Sequence, residues 1–373
     1  MPRDQALLVI VLKKGTPKAR FEEHLEELSE LTRSAGGTIV GHVTSAIERP
    51  TSNFFVSGGK LAEIRTKAIH LRANLLIFNV NLSPVQGRNI ERETGFRPVD
   101  RTGLIIDIFA RRAQSRAGRL QVELAQLTYL LPRLVGHGVI MSRTGGGIGT
   151  RGPGEQKLEV DRRKIRDRIG RVKDELEKLK AHQSRIRNRR KEKDFPIVAI
   201  VGYTNAGKST LLNALTGSDV FVEDKLFATL DPTTRVLRVP DKRNVLLTDT
   251  VGFLNELPHS LIDAFRATLD EVTEADLLIH VLDAASPSRE AQHESVRRVL
   301  EELKAHEKPV ILALNKMDLL DENEKRQVSA QFPDAILISA KGKLNLETLI
   351  QAIGKLAMGS NGIQNESTDR AVD

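Results

Sequence analysis

The stretch "IVAIVGYTNAGKSTLLNAL", residues 197–215, decides the fold of the C-terminal half. Within it, "GYTNAGKS" at 202–209 matches the pattern G-x-x-x-x-G-K-[S/T], between an apolar run and a helical pattern. A loop in this position points backbone N–H groups at phosphate oxygens. We predict an α/β domain in which Lys208 reaches the outer phosphates and the Ser209 hydroxyl binds Mg²⁺. The predicted phosphate-binding residues are Gly202, Tyr203, Thr204, Asn205, Ala206, Gly207, Lys208 and Ser209.

Three more motifs follow in order: "DTVG" at 249–252, "NKMD" at 315–318 and "SAK" at 339–341. Asp249 ends an apolar strand with a carboxylate placed for the metal shell. The Asp318 carboxylate suits the N1–H and amino donors of guanine, a pair that adenine lacks. The set therefore predicts GTP rather than ATP, and a degenerate domain that binds nothing would need several coincidences. The predicted residues are Asp249, Thr250, Val251, Gly252, Asn315, Lys316, Met317, Asp318, Ser339, Ala340 and Lys341.

The residue after "DTVG" is Phe253, where Ras-type GTPases have a glutamine that orients the attacking water. A phenyl ring cannot do this, so catalysis must rely on backbone positioning, metal ions or a group from outside, and no catalytic residue is assigned. Asn205 is a candidate ligand for K⁺ beside the phosphates, or it only shapes the loop through backbone hydrogen bonds. His137, His259 and His280 are interpreted as lone exposed or satisfied side chains.

The N-terminal half predicts two further parts. Residues 1–115 alternate strand and helix patterns, which indicates a small α/β domain with a largely parallel sheet. Residues 116–194 predict a long antiparallel helical hairpin with a glycine-rich tip loop at 136–154. The GTPase domain is expected at 195–358, and the polar tail 359–373 is expected to be disordered. The two apolar seams of the hairpin are Leu120, Leu124, Leu127, Leu131 and Leu134, and Ile165, Ile169, Val172, Leu176 and Leu179.

The charge of the chain is concentrated in one segment. The net charge is +8, and residues 161–194 alone carry 15 Lys and Arg against 7 Asp and Glu. This basic arm, with Arg143 and Arg151 in the tip loop, predicts contact with RNA phosphates; the alternative is a solvated helix face beside a flexible hinge. The absence of cysteine excludes disulfides and thiolate metal sites. No membrane span is expected, since the apolar run at 6–12 is too short, so the expected location is the cytoplasm, with peripheral membrane association left open.

Three stretches of the sequence carry a family resemblance. The strings "FATLDPTTR" at 227–235, "GGGIGTRGPGEQKLEVDRR" at 145–163 and "VDRTGLIIDIFARRA" at 99–113 closely resemble the HflX family of ribosome-associated GTPases, over about residues 5–358. The resemblance implies a central sheet wrapped by helices. Among the candidates Thr229, Thr233 and Thr234 it gives Thr229 the role of sensing Mg²⁺. It also implies that Phe227, Ala228, Thr229, Leu230 and Asp231 line the nucleotide.

The same resemblance implies a partner and an activity. We expect slow intrinsic GTP hydrolysis, yielding GDP, that the large ribosomal subunit stimulates, with the tip loop bound to ribosomal RNA near the catalytic centre of that subunit. The expected role is to split or recycle stalled ribosomes, as a monomer. The alternatives are an anti-association or ribosome-assembly factor in which hydrolysis times release, and a nucleotide-dependent RNA-remodelling enzyme. The chain is expected to lack the further C-terminal domain of many bacterial members.

Overall fold

A computed structural model describes residues 4–134, 153–191, 195–218, 226–227, 230–240, 243–253 and 266–365. These residues fall into two compact units, which meet in sequence between Lys178 and Leu179. Each unit is built around its own sheet. In the described part of the chain, no helix is long and apolar enough to cross a membrane.

The first unit contains a four-stranded parallel sheet in the order β2-β1-β3-β4. Strand β1 is buried on both faces, from Ala6 to Val11, as expected for a parallel strand covered by helices on each side. The elements are β1 (Gln5–Lys13), α1 (Lys18–Ser34), β2 (Thr38–Ile47), α2 (Gly58–His70), β3 (Leu75–Phe78), α3 (Pro84–Thr94), β4 (Arg97–Val99), α4 (Arg101–Arg112) and α5 (Arg116–Leu130), with a 3₁₀ helix at Leu131–Leu134. The first unit also holds the first part of α6 (Pro153–Lys191).

A buried carboxylate ties the end of α5 to the sheet. Asp100, at 2% exposure, caps α4 by accepting a hydrogen bond from Gly103 N. It also accepts from the Tyr129 hydroxyl at 2.8 Å and from Arg133 Nη2 at 2.7 Å. The Arg133 guanidinium lies over the Tyr129 ring and donates a further bond to the Leu82 carbonyl. The chain is thus fixed just before the predicted tip loop, and Arg133 is committed to this internal network.

Helices α5 and α6 form the antiparallel hairpin that the sequence predicts. Arg168 makes two hydrogen bonds to Glu123, and Arg116 pairs with Glu175 at 3.1 Å. The later residue of α5, Glu123, thus pairs with the earlier residue of α6, Arg168. This order shows that the two helices pack antiparallel. Val172 is fully buried at the centre of the second seam, and the remaining members of the two seams are buried or half-buried.

One detail of the first seam is wrong. Leu131 and Leu134 lie in the 3₁₀ helix rather than in α5. The reason is Pro132, which has no backbone N–H to donate to the carbonyl one helical turn earlier.

The second unit contains a six-stranded sheet in the order β10-β9-β8-β5-β7-β6. All neighbouring strands are parallel except β6, which runs antiparallel to β7 at the edge. The confirmed fold is therefore a mixed α/β chain with a mostly parallel central sheet in this unit. After the last turns of α6, its elements are β5 (Ile197–Gly202), α7 (Lys208–Thr216), β6 (Thr233–Val239), β7 (Arg243–Asp249), α8 (Arg266–Glu274), β8 (Leu277–Asp283), α9 (Arg289–Glu302), β9 (Val310–Asn315), a 3₁₀ helix (Met317–Leu319), α10 (Glu322–Gln331), β10 (Ile336–Leu337) and α11 (Leu346–Asn365).

The predicted start of the disordered tail, residue 359, falls inside a helix. Helix α11 continues to Asn365, although the sequence prediction ended the ordered region at 358. Its first turns bury Leu349, Ile353 and Ala357 in the core, and each residue added to an existing helix gains one hydrogen bond. Residues 366–373 lie outside the described chain. The division into domains at 1–115, 116–194 and 195–358 remains a proposal.

The Asp100 network predicts an unequal response to two carboxylate deletions. Asp100→Ala removes a helix cap and leaves Arg133 and Tyr129 without their carboxylate, so the free energy of unfolding should fall by about 3 kcal/mol. The matched change Glu123→Ala, in a half-exposed pair between the two hairpin helices, should cost at most about 1 kcal/mol. Calorimetric unfolding of both variants measures the difference, and equal shifts of the two would contradict the proposed importance of the buried network.

Candidate nucleotide-binding site

The phosphate loop between β5 and α7 can be formed only with glycine at its two ends. Gly207 has φ of 93°, and a Cβ there would lie 2.3 Å from Asn315 Nδ2. A Cβ on Gly202 would lie 2.2 Å from the Val281 carbonyl oxygen. The loop therefore packs directly on the ends of β8 and β9, with its backbone in the conformation that a phosphate cradle requires.

Lys208 is the cation of this loop. Its Nζ donates to the carbonyls of Tyr203 at 2.8 Å and Gly202 at 3.2 Å. Burial lowers the pKa of Lys208 to about 8, and the nearby Asp249 carboxylate acts in the opposite direction. A buried ammonium with a lowered pKa favours an anion beside it, because a phosphate would stabilise the charged form.

Two residues predicted for the metal site lie side by side, Ser209 as a ligand and Asp249 for the metal shell. The Ser209 hydroxyl donates to Asp249 Oδ2 at 2.6 Å, and both side chains are buried. A serine hydroxyl and a strand-end carboxylate are oxygen ligands of the kind that Mg²⁺ prefers in phosphoryl-transfer sites. The residues present therefore fit the ion that a GTPase fold uses, which would neutralise negative charge on the phosphate oxygens.

The "DTVG" segment is attached to the phosphate loop by its backbone. Phe253 N–H donates to the Gly202 carbonyl at 3.0 Å, and the Phe253 carbonyl accepts from Thr204 N–H at 2.8 Å. The Phe253 ring is fully buried. A Cβ on Gly252 would lie 2.9 Å from Lys208 Nζ, so this glycine lies directly against Lys208. The ring thus anchors the segment in the core and has no access to a water molecule.

The two middle residues of this segment are also buried. The Thr250 hydroxyl donates to the Ile200 carbonyl at 2.7 Å, and Val251 is buried. Thr204 and Ala206 of the phosphate loop are buried as well, and Asn205 is half-buried with φ of 61°. This left-handed conformation is one that asparagine tolerates.

The base-recognition motifs meet around one amide. Asn315 Nδ2 donates to the Ala206 carbonyl at 2.8 Å, and Asn315 Oδ1 accepts from Ala340 N–H at 2.9 Å. The Ser339 hydroxyl oxygen accepts from Gly342 N–H and closes the "SAK" turn. Asp318 is exposed at the end of this arrangement, as a carboxylate that binds a base must be.

The structure describes some of the remaining predicted nucleotide-binding residues. Met317 donates its N–H to the Ile338 carbonyl, and Lys341 is exposed beside the turn. Phe227 and Leu230 are buried, and Asp231 is half-buried. Ala228, Thr229, Arg143 and Arg151 lie outside the described residues.

Of the three candidate threonines, two are fixed in strand β6. Thr233 pairs with Asp249 across the ladder, and the Thr234 hydroxyl lies 3.0 Å from the Thr248 hydroxyl. A residue that moves with the nucleotide state is not expected in a paired strand, because the ladder hydrogen bonds hold it in place. The third candidate, Thr229, lies outside the described residues.

Three features escaped the sequence analysis. Asp283, at the end of β8, pairs with Lys316 of "NKMD" at 2.7 Å. The burial of Phe253 and its two backbone bonds were also missed. The third feature is His280, whose interpretation as a lone exposed or satisfied side chain is wrong. His280 is buried, stacks on His293 with ring centroids 4.9 Å apart, and its Nε2 has no partner in the described part of the chain. His137 and His259 lie outside the described residues.

Comparisons with known proteins agree with this geometry. Three family models match in succession: "GTP-binding GTPase N-terminal" at residues 22–110, "GTP-binding GTPase Middle Region" at 112–190 and "50S ribosome-binding GTPase" at 197–316. The GTPase HflX of Caldanaerobacter subterraneus subsp. tengcongensis is 51% identical over 353 residues, which cover 95% of this chain and 81% of that protein. The chain belongs to the HflX family of GTPases.

Two further matches extend the comparison. The GTPase HflX of Escherichia coli is 44% identical over 90% of this chain and 80% of that protein. The crystal structure of SsGBP in complex with GDP is 28% identical, with a TM-score of 0.51, over 95% of this chain and 99% of that one. The chain is therefore a GTP-binding protein that hydrolyses GTP, built on the P-loop GTPase fold.

Replacement of the predicted base-binding carboxylate should change nucleotide choice in this HflX GTPase. Asp318→Asn presents an amide donor where the carboxylate accepted two bonds from guanine, so GTP affinity should fall by at least about a hundredfold and xanthosine triphosphate should be preferred. Equilibrium binding of fluorescent nucleotide analogues measures both. The exposed Asp334 offers a control, since Asp334→Asn makes the same charge change elsewhere. Unchanged GTP affinity in Asp318→Asn would contradict the assignment.

The buried histidine pair predicts a loss of stability in acid. Burial, His293 and Lys208 lower the pKa of His280 to about 3, and burial also lowers the pKa of His293. The folded value lies below the unfolded value of about 6.5, so the unfolded state takes up the proton first as the pH falls. Stability should be full above pH 6.5 and decrease below it, by about 2 kcal/mol from His280 between pH 7.5 and 5.

Urea unfolding at the two pH values tests this, with His280→Leu and the exposed His306→Gln as a matched pair. The difference in unfolding free energy between pH 7.5 and 5 should shrink in the His280 variant and stay unchanged in the His306 variant. An identical pH response of His280→Leu and the parent protein would show that the acid sensitivity arises elsewhere.

Proposed function

We propose that this GTPase binds the large ribosomal subunit in its GTP state and helps to split or recycle stalled ribosomes. The single observation that carries the proposal is Phe253: its fully buried ring leaves the position of the water-orienting residue without a side chain for that task. The missing contribution then comes from a partner that contacts the GTP-bound protein. The match at residues 197–316 to a family described as "50S ribosome-binding GTPase" supports a large-subunit partner.

The basic residues of α6 fall into two groups, which supports RNA as the surface that is bound. Arg168 pairs with Glu123 and serves to hold the hairpin together. In contrast, Arg163, Lys173 and Lys178 are exposed along the described part of the helix. Exposed lysine and arginine along one helix would contact phosphates without reading sequence. The proposed contact continues into the tip loop at 136–154, where Arg143 and Arg151 are the candidate contacts.

Two finer parts of the proposal concern ions and assembly. K⁺ beside Asn205 would supply a fixed positive charge at the phosphates, as an arginine finger does in other GTPases. Thr229 would report the nucleotide state through Mg²⁺. We propose that the protein acts as a monomer in the cytoplasm.

Turnover with and without large subunits tests the proposed source of catalysis. Hydrolysis should be slow in the free protein and accelerate only when subunits are added. In the double variant Arg143→Ala and Arg151→Ala, subunit affinity should fall and the slope of log K against log salt should flatten by about one to two, because at most two phosphate contacts are lost. GTP affinity of the free protein should stay the same. Filter binding at several salt concentrations and phosphate release measure these quantities.

The variant Arg297→Ala with Arg298→Ala makes the same charge change on α9, where both side chains are exposed, and should alter neither affinity nor slope. The substitution Phe253→Leu, which keeps an apolar side chain in the core, should leave intrinsic turnover nearly unchanged. Intrinsic hydrolysis as fast as the subunit-stimulated rate would refute the proposal. In that event K⁺ becomes the leading source of catalysis, and exchange of K⁺ for Na⁺ should slow turnover.

The role on ribosomes is separable from binding. A splitting factor lowers the light scattering of intact ribosomes when it is added with GTP or a non-hydrolysable analogue. A factor that only blocks association leaves intact ribosomes unchanged and slows the joining of separated subunits. The second pattern would replace splitting by the anti-association role.

A further inference from the structure

The "NKMD" turn is held in place by several independent contacts. Asn315 links it to the phosphate loop and to Ala340. The backbone N–H of Met317 donates to the Ile338 carbonyl. Between these two anchors, Lys316 adopts a left-handed backbone conformation with φ of 66°. A lysine does not favour this conformation by itself, so the surrounding contacts must maintain it.

A carboxylate from the neighbouring strand makes one of those contacts. Asp283 Oδ2 lies 2.7 Å from Lys316 Nζ, with 18% and 28% of the two side chains exposed. The other oxygen of Asp283 accepts a hydrogen bond from Ala285 N–H at 3.0 Å, which fixes the orientation of the carboxylate. Asp283 lies opposite Asn315 in the β8–β9 ladder. It is therefore placed by the sheet itself, at the carboxyl end of a strand where ligands of α/β folds bind.

We infer that Asp283 is a positioning residue that determines guanine selectivity through Lys316. The ion pair holds the backbone turn at Lys316, and that turn sets where the exposed Asp318 carboxylate points two residues later. The inference rests on the proposed role of Asp318 in guanine recognition. Asp283 makes no contact with the base in this account.

The pair is not needed to join the two strands. Strands β8 and β9 are already joined by their ladder and by the bond from Ala284 N–H to the Asn315 carbonyl. The lysine ammonium could otherwise extend into solvent, as exposed lysines do. Asp283, a fixed and mostly buried carboxylate, instead holds the Lys316 ammonium in one place. This contact is useful if the position of the residues after Lys316, including Asp318, must be controlled.

The variant Asp283→Asn tests this inference, because it removes the charge and keeps an oxygen that can accept from Ala285. GTP affinity should fall by about tenfold, the effect of losing a partly buried ion pair that organises a site. Inosine triphosphate lacks the amino group that Asp318 would bind, so its affinity should fall less and the GTP-to-ITP affinity ratio should shrink. KM for GTP should rise while kcat at saturating GTP stays unchanged. Asp334→Asn, in an exposed position, is the matched control and should change none of these.

A double-mutant cycle separates action through Lys316 from a general loss of structure. In the Lys316→Ala background, Asp283→Asn should have no further effect on GTP affinity. Additive effects, or an unchanged GTP-to-ITP ratio in a variant with the normal melting temperature, would overturn the inference. If Asp318→Asn switches nucleotide preference while Asp283→Asn is silent, only the inference about Asp283 fails. If Asp318→Asn is itself silent, the guanine assignment fails first.

Discussion

The amide of Asn315 is the contact on which the nucleotide site depends. It donates to the loop after β5 and accepts from the loop after β10, while it stands itself at the end of β9. One buried side chain thus joins three segments that are far apart in sequence. An amide is well suited to this role, since it carries a donor and an acceptor at one position. Loss of either bond would leave a buried polar group without its partner, which is costly in the core.

The same part of the molecule explains why a phenylalanine can follow "DTVG". The backbone of Phe253 makes the two hydrogen bonds that join this segment to the phosphate loop, and the ring is buried in the core. The position therefore serves to place Gly252 beside Lys208. An amide side chain at 253 would have to be buried or would have to leave the core, and either would weaken that attachment. Anchoring and water activation are separate tasks, and this chain uses the position for the first.

The sequence was sufficient for those features that depend on local backbone geometry. "GYTNAGKS" and "NKMD" could be interpreted because each motif lies in one loop at the end of a buried strand. The hairpin followed from its leucine and isoleucine spacing, apart from the early end of α5 at Pro132. The pairs Asp283–Lys316 and His280–His293 could not be found in this way, because their members come from different strands and helices. The extent of α11 was missed because polar and glycine residues conceal a helix that packing has already started.

The ion pairs of the hairpin show which of its basic residues stabilise the protein itself. A count of basic residues treats all the arginines of the two helices alike, yet Arg116 and Arg168 are paired across the hairpin and Arg133 is bound to Asp100. These three stabilise the protein's own structure. The exposed residues that remain on α6 have no such task within the hairpin seam, and like charges on one helix repel each other. Some of this repulsion is relieved within the described part of α6 by pairs with carboxylates of the same helix, such as Arg162–Glu159 and Arg166–Glu159. The hairpin is thus stabilised by its own ion pairs, and the exposed basic residues of α6 are the ones available to the proposed RNA contact.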